Sequence, residues 1–151
     1  MAKAMSTAQQ RIMQVVGKAI GGWHTWLYRK SDGRIGSSLP GGLSALLLTT
    51  RGRKSGEPRT TPLFYLRDGD KLIIVASKAG FPTHPAWYLN LQAEPKVDVQ
   101  VGHEKRTMRA ETATPEKRAR LWPRLCALYP GYQDYQARTD REIPVVILRP
   151  L

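Results

Sequence analysis

The chain has 151 residues, of which 41% are apolar and 24% charged, so its length and composition are those of a single globular domain. Its formal net charge of +12 favours an anionic partner: nucleic acid, an acidic lipid surface or a multiply charged small ligand. A single cysteine, Cys126, excludes an internal disulfide and a cysteine-cluster metal site. No apolar run approaches the ~18–20 residues that span a bilayer, and the absence of a leader-like apolar block favours a cytoplasmic protein.

Residues 1–30 are the first predicted element, a basic amphipathic helix. Apolar side chains recur at helical spacing, among them Ile12, Val16 and Trp23, and the first acidic residue is Asp32. One interpretation is a helix packed on the domain. The alternative is a helix at a membrane surface, where basic side chains meet anionic lipid and indoles lie at the headgroups.

A cationic loop, residues 51–59, separates two strand-like segments, Ala45–Thr50 and Thr60–Leu66. Its cations are Arg51, Arg53, Lys54 and Arg59. The loop also holds two glycines, which let backbone N–H groups turn toward a ligand, and guanidinium groups fit phosphate or carboxylate oxygens. It therefore predicts a polyanion-binding loop, with a solvated hairpin tip as the alternative.

The next elements are predominantly strands. Asp68–Asp70 predicts a hairpin turn, and Lys71–Ser77 is a nearly continuous apolar strand of the kind that is buried on both faces. Ala86–Gln92 is a short helix. The alternation of valines in residues 96–101 predicts a strand with one core face, and a further strand follows through about Thr112.

The last third of the chain begins with a helix whose hydroxyl cap is Thr114 and which extends to about Leu128. Ile143–Leu148 is the closing strand, and Pro144 places it at the start or the edge of a sheet. Five to six antiparallel strands with inserted helices predict a mainly β, α+β domain over residues 31–151, as a small barrel or a strongly curled sheet.

The usual catalytic constellations are missing from the sequence. The histidines, His24, His84 and His103, lack the spacing of metal ligands, so no metal is predicted. There is also no nucleophile elbow, phosphate-binding P-loop or dinucleotide fingerprint. A chain with binding determinants but no acid, base or nucleophile points to a cofactor that carries the reaction.

Three clusters agree with a cofactor. Ser77 and Lys78 end the buried strand, and residues 84–90 combine aromatic side chains with an amide. Three tyrosines recur every three residues, which places them near one face of a helical turn; they are Tyr129, Tyr132 and Tyr135. Phenols can stack on flat substrates and donate protons, although a packing stripe explains the same spacing.

Four segments together resemble the deazaflavin-dependent nitroreductase family of actinobacteria. They are TTRGRKSGEPR at residues 49–59, ASK at 76–78, HPAWYLNLQAEPKV at 84–97 and YPGYQDY at 129–135. The last segment resembles the quinone- and nitroimidazole-reducing branch of that family. The order and spacing of the segments carry the resemblance, which covers about residues 43–150.

The resemblance implies a split β-barrel, of the flavin-reductase and pyridoxine-phosphate-oxidase type, that binds coenzyme F420, a deazaflavin with a phosphate and an oligoglutamate tail. It implies that the phosphate or tail carboxylates are held by Arg53, Lys54, Ser55 and Arg59, with Lys78 assisting. It implies that the deazaflavin and its ribityl chain are lined by Thr60, Thr61, Pro62, Leu63, Phe64, Tyr65, Val75, Ala76, Ser77, Ala86, Trp87, Tyr88, Leu89 and Asn90. The implied catalytic residues are Tyr132, which would contact the cofactor ring, and Ser77, Tyr129 and Tyr135, which would orient or protonate the acceptor.

The implied activity is hydride transfer from reduced F420 to a menaquinone-like quinone, a nitroaromatic compound or an activated enone. A quinone substrate gives the helix of residues 1–30 a peripheral role at the inner face of the cell membrane. The alternatives are an FMN-dependent split-barrel oxidoreductase, a basic nucleic-acid-binding protein, and a barrel that binds F420 or lipid without catalysis. Nucleic acid is disfavoured because the densest cationic cluster is a compact turn and not a basic stripe.

Overall fold

The structure, a computed structural model, describes residues 44–151. The strands are β1 (Ala45–Arg51), β2 (Pro58–Phe64), β3 (Leu66–Asp68), β4 (Lys71–Val75), β5 (Lys96–Val101), β6 (Glu104–Thr112) and β7 (Val145–Pro150). The helices are α1 (Ala86–Ala93), α2 (Pro115–Leu128) and α3 (Gly131–Ala137), and a short 3-10 turn spans Lys78–Gly80.

All of these strands form one antiparallel sheet in the order β2-β1-β5-β6-β7-β4-β3. Strand β2 lies at one edge and ends at Phe64, whereas β3 lies at the other edge and begins at Leu66. Only Tyr65 separates them along the chain, so the two edges of the sheet must come together. The sheet is therefore curled into a barrel rather than open and flat.

One core fills the inside of the curled sheet. Leu46 and Leu48 of β1 point inward with Val97 and Val99 of β5, and these side chains are at most 2% exposed. Leu48 pairs with Val99 across the ladder, so the apolar alternation of both strands lies on the same face. Helix α1 adds Trp87 and Leu91 to this core. The alternation therefore predicted the buried face of β5 correctly.

A second core lies on the outer face of β4 and β7. Ile73 and Val75 of β4 contact this core, which α2 supplies with Leu121 and Leu125 and α3 supplies with Tyr132. The intervening residues of β4 point into the inner core. Strand β4 is thus buried on both faces, as its continuous apolar run predicted.

The predicted helices at Ala86–Gln92 and from Thr114 to about Leu128 agree with α1 and α2, whereas α3 was predicted only as a helical turn and one predicted strand needs correction. The hydroxyl of Thr114 accepts a hydrogen bond from the backbone N–H of Lys117 at 3.4 Å, which confirms the predicted cap of α2. The predicted strand Thr60–Leu66 is divided at Tyr65 between β2 and β3. Pro144 directly precedes Val145, the first residue of β7, which confirms the start of a strand out of the two predicted positions; β7 itself lies between β6 and β4 and not at an edge.

The predicted helix of residues 1–30 lies outside the described residues, and the division into residues 1–30 and 31–151 stays a prediction. Among residues 44–151, no helix is long and apolar enough to cross a membrane. The same residues contain no cluster of His, Cys, Asp or Glu side chains that could hold a metal ion.

Candidate functional site

The cationic loop forms a closed turn between β1 and β2. The backbone N–H of Gly52 donates to the carbonyl of Glu57 at 2.8 Å, and the N–H of Gly56 donates to the carbonyl of Gly52 at 2.8 Å. Gly56 has a φ of 73°, a left-handed value that glycine adopts without strain. The turn leaves the side chains of Arg53 and Lys54 exposed at its tip.

Asn90 of α1 holds the cationic loop through two hydrogen bonds. Its side chain is 4% exposed, and its Oδ1 accepts a hydrogen bond from the backbone N–H of Arg53 at 3.1 Å. Its Nδ2 donates to the Thr50 hydroxyl at 3.2 Å. Because a buried amide without partners is costly, these two bonds keep the loop in register with α1.

The cations of the loop differ in their partners. Arg59 forms an ion pair with Glu57 at 3.7 Å, in which both side chains are more than half exposed. Arg51 donates to the carbonyl of Gly56 at 3.4 Å. Arg53 and Lys54 have no ion pair with a carboxylate among residues 44–151. They are the loop cations that are available to an external anion.

The end of β4 leads into an unusual backbone turn. Lys78, Ala79 and Gly80 have φ values of 44°, 52° and 76°, so three successive residues are left-handed and two of them are not glycine. The turn is closed by the Gly80 N–H, which donates to the Ser77 carbonyl at 2.9 Å. The ammonium of Lys78 donates to the Thr83 hydroxyl at 2.9 Å. Strained backbone of this kind concentrates at functional sites.

The three predicted tyrosines do lie together. The hydroxyls of Tyr129 and Tyr135 are 3.0 Å apart, and the ring of Tyr132 lies 5.0 Å from that of Tyr129, centroid to centroid. Tyr129 also contacts Phe64 at the end of β2, with ring centroids 5.5 Å apart. The carbonyl of Tyr135 closely approaches Gly80, where an added Cβ would lie 2.5 Å from it. The tyrosines, β2 and the left-handed turn therefore meet at one corner, named here the tyrosine corner.

Burial keeps the phenols of Tyr132 and Tyr135 protonated. Tyr132 is 5% exposed, and desolvation raises its pKa well above the ordinary value. Desolvation, followed by the contact with Tyr129, raises the pKa of Tyr135 to about 12. Both groups are thus neutral hydrogen-bond donors at any physiological pH.

Arg141 was missed by the sequence analysis. Its guanidinium donates to the carbonyls of Ser77 and Phe81, at 2.8 Å each, on both sides of the left-handed turn. It lies in a loop with no repeat or motif, and its partners are 60 or more residues away in the chain. The sequence therefore carried no local signal for it.

The other predicted residues fall into two groups. Thr60 to Tyr65 are half-buried, along the edge strand β2 and at its end, whereas Trp87 and Tyr88 are buried in the inner core. Tyr88 shares a hydrogen bond with the Thr112 hydroxyl at 2.9 Å. Val75 and Ala76 are buried, Ser77 and Leu89 are half-buried, and Ala86 is exposed.

Two open hollows lie along β1 and β5. One of about 520 Å³ and another of about 430 Å³ share Thr49, Asp98 and Thr107. Arg51 and Pro58 of the cationic loop line the smaller hollow, but none of the residues that the resemblance assigns to the cofactor or the acceptor lines either one. The candidate site is the stretch along β2 from the cationic loop to Phe64, which contacts the tyrosine corner, and it is named here the groove.

The fold is that of the split β-barrel class. A solved structure of an FAD-binding protein from Mesorhizobium loti has a TM-score of 0.50 at 15% identity, with 71% of this chain and 80% of that chain covered. At that identity the likeness shows the fold alone. It confirms the predicted split β-barrel.

More similar proteins identify the family. The sequence profile of F420H(2)-dependent quinone reductases matches residues 22–150. An F420H(2)-dependent quinone reductase from Mycobacterium tuberculosis is 46% identical over 128 residues, which cover 83% of this chain and 86% of the relative. A solved structure of an F420-H2 dependent reductase, FDR-A, has a TM-score of 0.65 at 42% identity and covers 70% of this chain and 93% of that chain.

The chain therefore belongs to the F420H(2)-dependent quinone reductase family. This membership confirms the resemblance, the oxidoreductase class and coenzyme F420 as the cofactor. It favours F420 over the FMN-dependent alternative.

Proposed function

We propose that this chain reduces a quinone with reduced F420 in the groove along β2, between the cationic loop and the tyrosine corner. The observation that carries the proposal is the chemistry of the two ends of the groove. One end presents unpaired cations on an anchored loop, and the other presents neutral phenols against apolar surface. An elongated ligand with an anionic tail and a flat ring matches both ends.

The residues of the cationic loop fit the anionic part of F420. Arg53 offers a planar donor fork and Lys54 a compact charge, and both suit phosphate or carboxylate oxygens. Ser55 and Arg59 stand beside them, although Glu57 offsets part of the charge of Arg59. Lys78, at the end of β4, extends the cationic lining toward the ring end of the groove.

The flat part of the cofactor would lie along β2 and the end of β4. Thr60 to Tyr65 offer a half-exposed edge, and Ser77, Ala86 and Leu89 also keep accessible atoms. Trp87, Tyr88 and Asn90 would support the site mainly from beneath, since each is at most 8% exposed. Tyr132, which is buried among the other tyrosines, would support the ring end in the same way.

The chemical step is hydride transfer, which reduced F420 supplies when it is bound. This chain would hold the acceptor ring on the tyrosine corner and exclude water with Phe64 and the tyrosine rings. In the pair of Tyr129 and Tyr135, one hydroxyl donates to the other. The hydroxyl that accepts keeps its own proton for the acceptor oxygen, and its donor strength is increased by the bond it receives.

A quinone is favoured as the acceptor over nitroaromatic compounds and enones because the matching family and the 46% identical relative are both named for quinone reduction. Stacking against tyrosine and hydrogen bonding to a phenol suit its flat ring and its carbonyl oxygens. Menaquinone-like substrates reside in lipid. We therefore also propose that the chain contacts the membrane peripherally through residues 1–30.

The direct test is a side-by-side titration of the protein with F420 and with FMN, followed by addition of menaquinone analogues and nitroimidazoles to the reduced complex. We expect binding of F420 in preference to FMN and faster oxidation by the quinone. Preference for FMN, or a reduced complex that no quinone oxidises, would contradict the proposal.

The cationic loop is tested by Arg53→Ala and Lys54→Ala. We expect each change to weaken F420 binding by about tenfold, since it removes one charge-assisted contact. The unfolding midpoint should hardly change, because both side chains are exposed. Lys105→Ala removes an exposed cation at the opposite end of the β5–β6 ladder from the loop and serves as the control. Equal affinities in all three variants would remove the loop from the site.

A further inference from the structure

The guanidinium of Arg141 lies at the centre of the segment that follows β4. It donates to the Phe81 carbonyl through Nε at 2.8 Å and to the Ser77 carbonyl through Nη2 at 2.8 Å. Its Nη1 reaches the Ala76 carbonyl at 3.3 Å and the Nδ1 of His84 at 3.1 Å. One side chain thus contacts the segment before, after and beyond its left-handed turn.

The contact with His84 defines the state of that ring. The guanidinium has donors only, so Nδ1 of His84 must accept and the proton must lie on Nε2. Burial, and then the charge of Arg141, lower the pKa of His84, which keeps the ring neutral and able to accept. The ring also contacts Tyr88 of α1, with centroids 5.0 Å apart. Arg141 therefore ties the segment to α1 as well.

The backbone of the turn needs such support. Lys78 and Ala79 occupy left-handed conformations that non-glycine residues disfavour, and two backbone hydrogen bonds close the turn. Three flanking carbonyls, those of Ala76, Ser77 and Phe81, accept from the one guanidinium of Arg141. The conformation is consequently imposed by the guanidinium rather than by local preference.

Arg141 is also hydrogen-bonded to α3, the helix that carries Tyr132 and Tyr135. Gln136 of α3 donates to the Arg141 carbonyl at 2.8 Å, and its Oε1 accepts from the Ile143 N–H at 2.9 Å. Gly80, on the other side of the turn, packs against the backbone of Tyr135. Arg141 thus connects the left-handed turn that follows Ser77 to the tyrosine corner.

We infer that Arg141 is a positioning residue, which holds the Ala76–His84 segment so that Ser77 and Lys78 face the cofactor groove in register with α3. The identity of the ligand rests on the proposed function above. The ordering of the segment does not, because it is a property of the protein without cofactor.

The test measures hydrogen exchange at the Gly80 and Phe81 amides, which close the turn, in the cofactor-free protein. In Arg141→Ala we expect exchange at these amides to be at least about tenfold faster, since loss of several hydrogen bonds to one charge favours local opening. The F420 dissociation constant should rise by about tenfold, and added methylguanidinium should partly restore both values. Arg141→Lys should give the same changes to a smaller extent and replaces the alanine variant if that one does not fold.

Arg118→Ala is the matched control. Arg118 is also a half-buried guanidinium, and it donates to the Ile143 carbonyl at 3.1 Å and to Gln136 at 3.1 Å without touching the Ala76–His84 segment. Arg118→Ala should lower the free energy of unfolding without selectively accelerating hydrogen exchange at the Gly80 and Phe81 amides. Equal exchange in the variants of Arg141 and Arg118 would overturn the inference, and so would faster exchange with unchanged F420 affinity. Absence of F420 binding by the unaltered protein would instead refute the proposed function and leave the exchange comparison valid.

Discussion

Tyr129 and Tyr135 are joined by a hydroxyl contact of 3.0 Å, which makes their phenols act as a unit. A lone phenol at an acceptor oxygen would have to reorganise its hydrogen bonds with water as charge develops. In the pair, the hydroxyl that faces the acceptor would already be oriented by its neighbour, and this preorganisation would lower the barrier of the proposed step. The raised pKa of Tyr135 keeps the proton on the oxygen until it is needed.

Tyr135→Phe tests this role. Turnover with a quinone should fall by about 10²-fold, the lower end of what a positioned proton donor contributes, while F420 affinity should change by less than about twofold. Because the pKa of Tyr135 is raised to about 12, the unaltered enzyme should show no loss of activity from this group between about pH 6 and 10. Steady-state kinetics and F420 titrations check both points. Turnover equal to that of the unaltered enzyme would leave Tyr135 a packing residue.

Single residues also show what the sequence could not provide. The segment around Asn90 was predicted to line the cofactor from its resemblance to a family. The structure adds that the amide of Asn90 holds the backbone of Arg53, which lies 37 residues earlier. No sequence pattern pointed to Arg141, because three of its four partners are backbone carbonyls and every residue has a carbonyl. Hydrogen bonds to distant backbone depend on the fold and leave no pattern in the sequence.

At the scale of elements, the left-handed turn of Lys78–Gly80 is packed against α3. Gly80 has a φ of 76°, and an added Cβ would lie 2.5 Å from the Tyr135 carbonyl. Glycine is thus required there twice, by backbone conformation and by close approach. Gly69, in the turn between β3 and β4, has a φ of 64° but nothing within 4 Å of an added Cβ.

These two glycines provide a matched pair of substitutions. Gly69→Ala should cost about 1 kcal/mol of unfolding free energy, from the backbone conformation alone. Gly80→Ala should cost at least about 2 kcal/mol more, since the backbone of Tyr135 must shift to accept the methyl group. Chemical denaturation measures both values. Equal losses of unfolding free energy would show that the turn and α3 separate easily. That result would contradict the proposed role of Arg141 in holding the turn against α3.

Local sequence patterns predicted most helices and strands but missed the break between β2 and β3, where the barrel closes. Lys71–Ser77 was recognised as a strand buried on both faces because its run of apolar side chains needs no knowledge of partners. The break at Tyr65 was missed, because the residues on either side both favour extended backbone. The break arises because β2 and β3 occupy opposite edges of one curled sheet, and that requirement is tertiary.

Six acidic side chains of residues 44–151 form ion pairs with cations of the same part of the chain; they are Glu57, Asp68, Asp70, Glu104, Glu111 and Glu142. Asp68 accepts from Arg124 at 2.9 Å and from Arg120 at 3.2 Å, and these bonds hold its pKa below the ordinary value. Glu111 contacts Lys117 and Arg149. Such exposed pairs contribute little stability. The excess of 24 basic over 12 acidic side chains therefore remains available to external anions, whether on a cofactor tail or on a lipid surface.

The proposed membrane contact depends on the charge of the whole chain. The full chain should float with vesicles that contain anionic lipid, and less with neutral vesicles, because its net charge of +12 attracts the surface and residues 1–30 supply apolar side chains. Raising the salt concentration should weaken binding by screening the charge. A form lacking residues 1–21, which keeps all residues that match the family, should lose most of the flotation and retain F420 binding. Equal flotation of both forms would place the contact on the barrel, and no flotation of either would refute it.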